Sequence, residues 1–103
     1  MIAIPLDSRD ATTLSQEYIR APYFALLDTD TGYYKVIDNT KKSSLVVELI
    51  SDHGADATVC HMIDDSVCTI CEQHGVSVYE VPNGSITIDD IYLESRKHSD
   101  LFT

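Results

Sequence analysis

The chain has 103 residues, 44% of them hydrophobic, and a formal net charge of −10 at pH 7. This length predicts one domain over residues 1–103 with a single core, and no stretch approaches the roughly 20 apolar residues of a membrane span. We therefore expect no membrane partner. Because a negative charge repels nucleic-acid phosphate, we also expect no nucleic-acid partner.

Three cysteines are present, an odd number. The first residues, Met1–Asp7, contain no basic segment and become polar at once, so they predict no signal peptide. We therefore expect a cytoplasmic protein whose cysteines are reduced thiols and not members of a disulfide framework.

Apolar runs in the first part of the chain predict three strands. Ile2–Leu6 is a short continuous run typical of a buried strand, and residues 8–20 show no period and predict a loop over the sheet. The runs 23–27 and 33–37 are joined by an Asp- and Gly-containing linker, which predicts an antiparallel hairpin with Gly32 at positive φ. The first hairpin strand is apolar throughout, so both its faces should be covered.

A first helix is predicted after residue 43. Ser43 or Ser44 is its candidate N-cap, and His53 followed by Gly54 is typical of its end. Its predicted apolar stripe consists of Leu45, Val46, Leu49 and Ile50.

The stretch from Ala57 to Val81 has the pattern strand, loop, helix, strand, which is the crossover unit of a parallel sheet. Asp64 or Asp65 is the candidate N-cap of its helix, and Gly75 the residue just past its end. All three cysteines and two of the four histidines lie in this unit, so we expect any chemical site here.

The last segments predict a turn and a helix. Pro82–Gly84 is typical of a turn, and Thr87–Asp90 resembles a capping box with Asp in place of Glu. An amphipathic helix should follow to about Lys97. The tail, Ser99–Thr103, should be loose or add one edge contact.

These elements predict an α/β domain with helices on both faces of a five-stranded mixed sheet. A hairpin followed by right-handed crossovers gives the strand order 3-2-1-4-5, in strand numbers along the chain. The winding reverses between the first and fourth strands, where open α/β sheets bind ligands. Asp7 leaves the first strand there, and Cys60 and His61 leave the fourth.

Four side chains of the crossover unit are candidate metal ligands. Cys68 and Cys71 are three apart and share a helix face; with Cys60 and His61 they would form a soft set suited to an iron–sulfur cluster or zinc. The spacing matches no established zinc pattern. The alternative is that Cys68 and Cys71 are small core residues beside Val67 and Ile70.

Several segments resemble a known family when taken together in order. They are Ile2–Asp7, Arg20–Phe24, Val36–Asn39, Cys60–Met62, Gly75–Tyr79 and Gly84–Thr87. The chain resembles the dinitrogenase iron–molybdenum cofactor biosynthesis family, the small NifX-like accessory proteins. The resemblance implies a ribonuclease H-like three-layer α/β/α fold and a non-enzymatic role in binding or carrying an iron–molybdenum or iron–sulfur cofactor in nitrogen fixation.

The chain departs from the family pattern at three places. Glu17 stands where the family has a His that is expected to meet the cluster, in the sequence Glu17–Arg20. Asn39–Ser44 replaces a Gly-rich run, and Ile63 replaces a Gly. Arg20 either binds an anion in the crevice or forms an ion pair with Glu17.

The resemblance implies that a cluster or its precursor is bound, with cluster-handling proteins as partners. We expect it at the reversal of winding between the first and fourth strands, in a monomer or homodimer. The predicted cofactor-binding residues are His61, Cys60, Arg20, Glu17 and Asp7, and the predicted metal ligands are His61, Cys60, Cys68 and Cys71. A metal-free protein interaction module is the alternative.

A metal-dependent nuclease is a weaker alternative. Asp7, Glu48 and Asp64 or Asp65 occupy roughly the places where ribonuclease H-like nucleases hold metal ions. The net charge opposes such a substrate, and helix capping explains the two aspartates. We therefore predict that the protein is not a nuclease.

Overall fold

The fold is given by a computed structural model that describes residues 1–81, 84 and 86–97. The predicted turn residues 82 and 83 and the tail 99–103 lie outside the described residues. None of the helices described is long and apolar enough to cross a membrane. In chain order the elements are β1 Ile2–Leu6, β2 Tyr23–Leu27, β3 Tyr34–Asp38, α1 Val46–Asp52, β4 Ala57–Cys60, α2 Asp65–Gln73, β5 Ser77–Glu80 and α3 Ile88–Lys97.

The five strands form one mixed sheet in the order β3-β2-β1-β4-β5, as predicted. β1 is antiparallel to β2 and parallel to β4, with Ile2 opposite Ala57. Gly32 has a φ of +79° in the β2–β3 hairpin, as expected. The reversal of winding therefore lies between β1 and β4.

Helices cover both faces of the sheet. Successive side chains of β1 point to opposite faces and therefore pack in two different cores. Ala3 packs in a core with Val46 of α1 and Cys71 of α2. Ile4 packs in a second core with Ile88 of α3. This arrangement confirms the three-layer α/β/α prediction.

The predicted ends of α1 and α2 are confirmed. Gly54 has a φ of +92°, and the amide of Ala55 reaches back to the Ile50 carbonyl at 3.0 Å. Gly75 has a φ of +73°, and the amide of Val76 reaches the Cys71 carbonyl at 2.8 Å. Both are Schellman ends, which require the left-handed conformation that glycine adopts without strain.

The capping box of α3 is also confirmed. The Thr87 amide donates to the Asp90 carboxylate, and the Asp90 amide donates to the Thr87 hydroxyl, each at 3.0 Å. The shorter Asp side chain therefore replaces the usual Glu without loss of either bond.

The predicted start of α1 is wrong in two respects. The N-cap is Leu45, which makes no side-chain cap bond, and not Ser43 or Ser44. The Ser43 hydroxyl instead accepts a bond from the Leu45 amide at 3.2 Å, within a turn that precedes the helix. The predicted apolar stripe is wrong at Leu45, which is 51% exposed, and omitted Val47, which is buried.

Candidate functional site

The site lies where the carboxyl ends of β1 and β4 meet the loop formed by residues 8–20. The Ser15 amide donates to the Pro5 carbonyl at 2.8 Å, and the Ser15 hydroxyl donates to the Asp7 carboxylate at 2.6 Å. The loop therefore crosses the end of the sheet at Ser15. Asp7, a predicted cofactor-binding residue, is already hydrogen-bonded within this crossing.

His61 follows β4 directly and is only 8% exposed. Its Nδ1 lies 3.3 Å from the Val81 carbonyl oxygen. A carbonyl only accepts, so Nδ1 is the donor, and in the neutral tautomer with this donor Nε2 holds the lone pair. Nε2 is buried and has no hydrogen-bond partner among the residues that the structure describes. A buried nitrogen without a partner calls for an explanation, and a ligand is one.

Cys60 and His61 are consecutive, but their surroundings lie on opposite sides of the sheet. Cys60 is 1% exposed and belongs to the core under α1 and α2. Val81, the partner of His61, packs against the core under α3. Burial, and then the charges of Glu80, Cys68 and Cys71, raise the pKa of the Cys60 thiol to about 12. Cys60 is therefore a neutral, packed thiol at pH 7.

The other two cysteines differ from each other. Cys71 is fully buried, and burial followed by the charges of Cys68 and Glu72 raises its pKa to about 11. Cys68 is half-buried, and its pKa is also raised, first by desolvation and then by Glu80, Asp65 and Glu72. The core-residue reading thus describes Cys71, whereas Cys68 is reachable from solvent.

The predicted ligand set does not converge in this structure. Among residues 1–81, 84 and 86–97, no three His, Cys, Asp or Glu side chains lie close enough to hold a metal ion. The same holds for the nuclease-like carboxylates: Asp7 is bonded to Ser15, and Glu48 lies exposed on α1. The assignment of His61, Cys60, Cys68 and Cys71 as ligands stays a prediction.

A cleft of about 280 Å³ separates the loop from the start of α2. Its walls include Glu17, Met62 and Asp64. Asp64 is the N-cap by position, as predicted, but its side chain makes no cap bond. Its carbonyl accepts from the amides of Val67 and Cys68, each at 3.0 Å.

Of the two alternatives for Arg20, the ion pair with Glu17 does not form between these two described residues. Both side chains are exposed, and it is Arg9, not Arg20, that forms an ion pair, with Asp38. The Glu17 amide donates to the Ser15 hydroxyl at 3.1 Å, so the backbone of Glu17 is held next to the point where the loop crosses the end of the sheet. Arg20 therefore remains available to an anion.

Asn39 supports the site and was missed as a functional position. It is 3% exposed, and its amide nitrogen donates to the carbonyls of Ile19 and Ala21 at 2.9 and 2.8 Å. Its oxygen accepts from the amides of Lys41 and Lys42, each at 3.1 Å. In the sequence, Asn39 stands out only as the end of a family-like segment and the start of the run that replaces the Gly-rich one, and neither indicates its bonding role.

A family described as dinitrogenase iron-molybdenum cofactor matches residues 1–96 of the chain. The chain belongs to this family. The predicted resemblance is thereby confirmed. Among curated proteins, no sequence matches this member of the family.

Solved structures share the fold of this iron-molybdenum cofactor family member. The crystal structure of PH0822 is 22% identical, with a TM-score of 0.77 over 90% of this chain and 85% of that one. An NMR structure of a Thermotoga protein, provisionally named NifB and assigned to the DUF35 family, is 22% identical, with a TM-score of 0.73 over 94% and 86%.

A third structure is the apo form of the orange protein from Desulfovibrio gigas. It is 14% identical, with a TM-score of 0.78 over 95% of this chain and 87% of that one. The TM-scores establish the common fold. Because the identities are low, the chemistry of the site has to be argued from the residues of this chain.

Proposed function

We propose that this chain is a non-enzymatic accessory protein of the cytoplasm that binds a metal–sulfur cluster, or a precursor of one, as cargo. The binding place is the carboxyl end of β1 and β4, with His61 as the first ligand. The observation that carries the proposal is the buried Nε2 of His61, which has no partner among the described residues. Membership in the iron-molybdenum cofactor family supports it.

The geometry of His61 suits a metal ligand. Metal-binding histidines commonly donate their second ring nitrogen to a carbonyl, which fixes the tautomer and raises the basicity of the ligating nitrogen. The Nδ1 contact with Val81 has this form. Imidazole is a suitable ligand for iron.

The cysteines are poorer first ligands because a thiol must lose its proton to bind a metal. Cys60 and Cys71 are buried and their pKa values are raised, so each would have to move and ionise. Cys68 is half-buried and can join only if α2 turns it toward the site. We therefore expect one histidine contact first, and a bound state that is transient.

Two features would meet the negative charge of a sulfur-rich cluster. Arg20 is exposed beside the loop. The amides of Asp65 and Ser66 lie in the first turn of α2, where no intrahelical carbonyl can accept from them. Glu17, which replaces the family histidine, removes one ligand and adds a negative charge, and so weakens the binding.

Anaerobic reconstitution with ferrous iron and sulfide tests the proposal. We expect visible absorption and protein-bound iron in the wild type, and a loss of both in the His61→Gln variant. His74→Gln is the matched control because His74 is an exposed helix-end residue, and it should bind as the wild type does. Circular dichroism confirms that each variant is folded.

Two results would reject the proposal. One is a wild-type protein that takes up no iron or sulfide. The other is an unchanged spectrum after His61→Ala and Cys60→Ala are combined. Either result, together with a stable protein partner, would favour the metal-free interaction module.

A further inference from the structure

The outer edge of β5 is unpaired among the residues that the structure describes. β5 is one end of the sheet, and the amides of Ser77 and Val81 point inward to β4, donating to the carbonyls of Asp56 and Cys60. Main-chain groups of alternate residues point to opposite edges of a strand, so those of Val78 and Glu80 point outward. In the part of the chain that the structure describes, no strand pairs with this edge.

A groove runs along the open edge. The β5 groove, as we call it, has a volume of about 570 Å³ and is formed by Cys68 and Glu72 of α2 together with residues 75–80. Val78 and Cys68 are half-buried within it, so the groove has an apolar floor beside a row of outward-facing main-chain groups. A strand placed here would lie beside β5 and against α2.

The charge of the β5 groove is negative. Glu72 and Glu80 line it, and among the described residues its lining contains no lysine, arginine or histidine. The field of the groove therefore adds to the net charge of −10 in favouring a cationic occupant.

We propose that the β5 groove binds an extended, basic segment of a partner protein, which joins the sheet as a sixth strand. Main-chain bonds to Val78 and Glu80 supply the pairing, as in other cases of strand addition to a sheet edge. Because side chains alternate along a strand, lysines or arginines at every second position would face Glu72 and Glu80. A second copy of this chain is disfavoured because two grooves of the same charge would meet. This proposal does not depend on cluster binding.

Nuclear magnetic resonance with the full chain tests the proposal. The probe is an eight-residue peptide of alternating lysine and valine, compared with a glutamate–valine peptide and with a lysine–valine peptide methylated at every backbone nitrogen. We expect only the first to shift the amide signals of residues 75–80, with Val78 and Glu80 moved most. Binding should weaken as salt is raised, since exposed charges are screened.

Charge reversal locates the binding energy. Glu72→Lys combined with Glu80→Lys should weaken binding about tenfold, the sum expected of two exposed ion pairs. Glu48→Lys combined with Asp52→Lys on α1 makes the same change of net charge outside the groove and should alter binding by less than about twofold.

Four outcomes would overturn the proposal. They are equal binding of the glutamate peptide, equal binding of the methylated peptide, signal shifts confined to residues outside the groove, and no shift at all with the lysine–valine peptide. The methylated peptide requires no variant of the protein, so it remains decisive if a charge-reversed variant fails to fold. Signals at residues 75–80 that move with protein concentration alone would point to a second copy instead.

Discussion

The phenol of Tyr18 lies 2.8 Å from the hydroxyl of Thr58, inside the core. Thr58 gives its only proton to the Ala3 carbonyl at 2.9 Å, so Tyr18 must be the donor to Thr58. The chain of bonds runs from Tyr18 in the loop through Thr58 of β4 to Ala3 of β1, and so ties the loop to the middle of the sheet. Burial raises the pKa of Tyr18 above its ordinary value, so the phenol keeps its proton.

Removing the Tyr18 hydroxyl and removing the Thr58 hydroxyl should have different effects on stability. Tyr18→Phe removes one neutral hydrogen bond and should reduce the free energy of unfolding by about 1 kcal/mol. Thr58→Val leaves the buried Tyr18 hydroxyl without its acceptor and should reduce it by about 2–3 kcal/mol. Urea unfolding of both single variants and the double variant measures this. Strictly additive effects would show that the two groups are not coupled.

The buried thiols predict a loss of stability at alkaline pH. The folded state raises the pKa of Cys60 to about 12 from an ordinary value of 9.0, so the unfolded chain releases its proton first. The stability associated with the protonated Cys60 thiol is fully present below pH 9 and is lost as the pH rises toward 12. Cys71 and Tyr18 act in the same direction.

Unfolding in urea with a reductant at pH 7, 8, 9 and 10 measures the slope of the free energy of unfolding against pH. Cys60→Ala should be less stable at pH 7 but should lose less stability between pH 9 and 10. Val59→Ala is the matched control, since it truncates a buried side chain of the same strand without removing a titrating group. Equal slopes for the two variants would contradict the assignment to Cys60.

Two glycines at positive φ should tolerate a methyl group to different degrees. A Cβ on Gly75 would meet no described residue within 4 Å, so Gly75→Ala adds mainly backbone strain, about 1 kcal/mol. A Cβ on Gly32 would lie 3.1 Å from the ring of Tyr92, so Gly32→Ala should be the more destabilising change. In a Tyr92→Ala background this excess should vanish. Thermal unfolding of the four variants measures it, and equal losses at both glycines would refute the contact.

The order of strands could be predicted because each step depended on local chemistry: Gly32 closes a hairpin, and the Schellman glycines end α1 and α2. The capping box of Thr87 and Asp90 is equally local. The start of α1 could not be predicted this way, since serine caps and serine turns use the same side-chain bonds. The positions of His61, Cys60 and Cys68 relative to one another depend on packing across the sheet, which no spacing along the chain encodes.

The Asn39 side chain fastens the loop by donating to the carbonyls of Ile19 and Ala21. Asn39→Ala leaves these buried carbonyls and the amides of Lys41 and Lys42 without partners and should reduce the free energy of unfolding by about 2–3 kcal/mol. Asn39→Asp can still accept from the two amides, but an ionised carboxylate would face the two carbonyls.

The folded state therefore raises the pKa of the introduced carboxyl group in Asn39→Asp, because only its protonated form can donate to a carbonyl. Its stability relative to the wild type should improve as the pH falls from 7 toward 5. Asp38→Asn, a change of the neighbouring exposed residue, should show no such recovery. Urea unfolding at both pH values measures the effect, and limited proteolysis between residues 8 and 21 should report the loosened loop. A variant equally unstable at both pH values would show that the two carbonyls do not face this side chain.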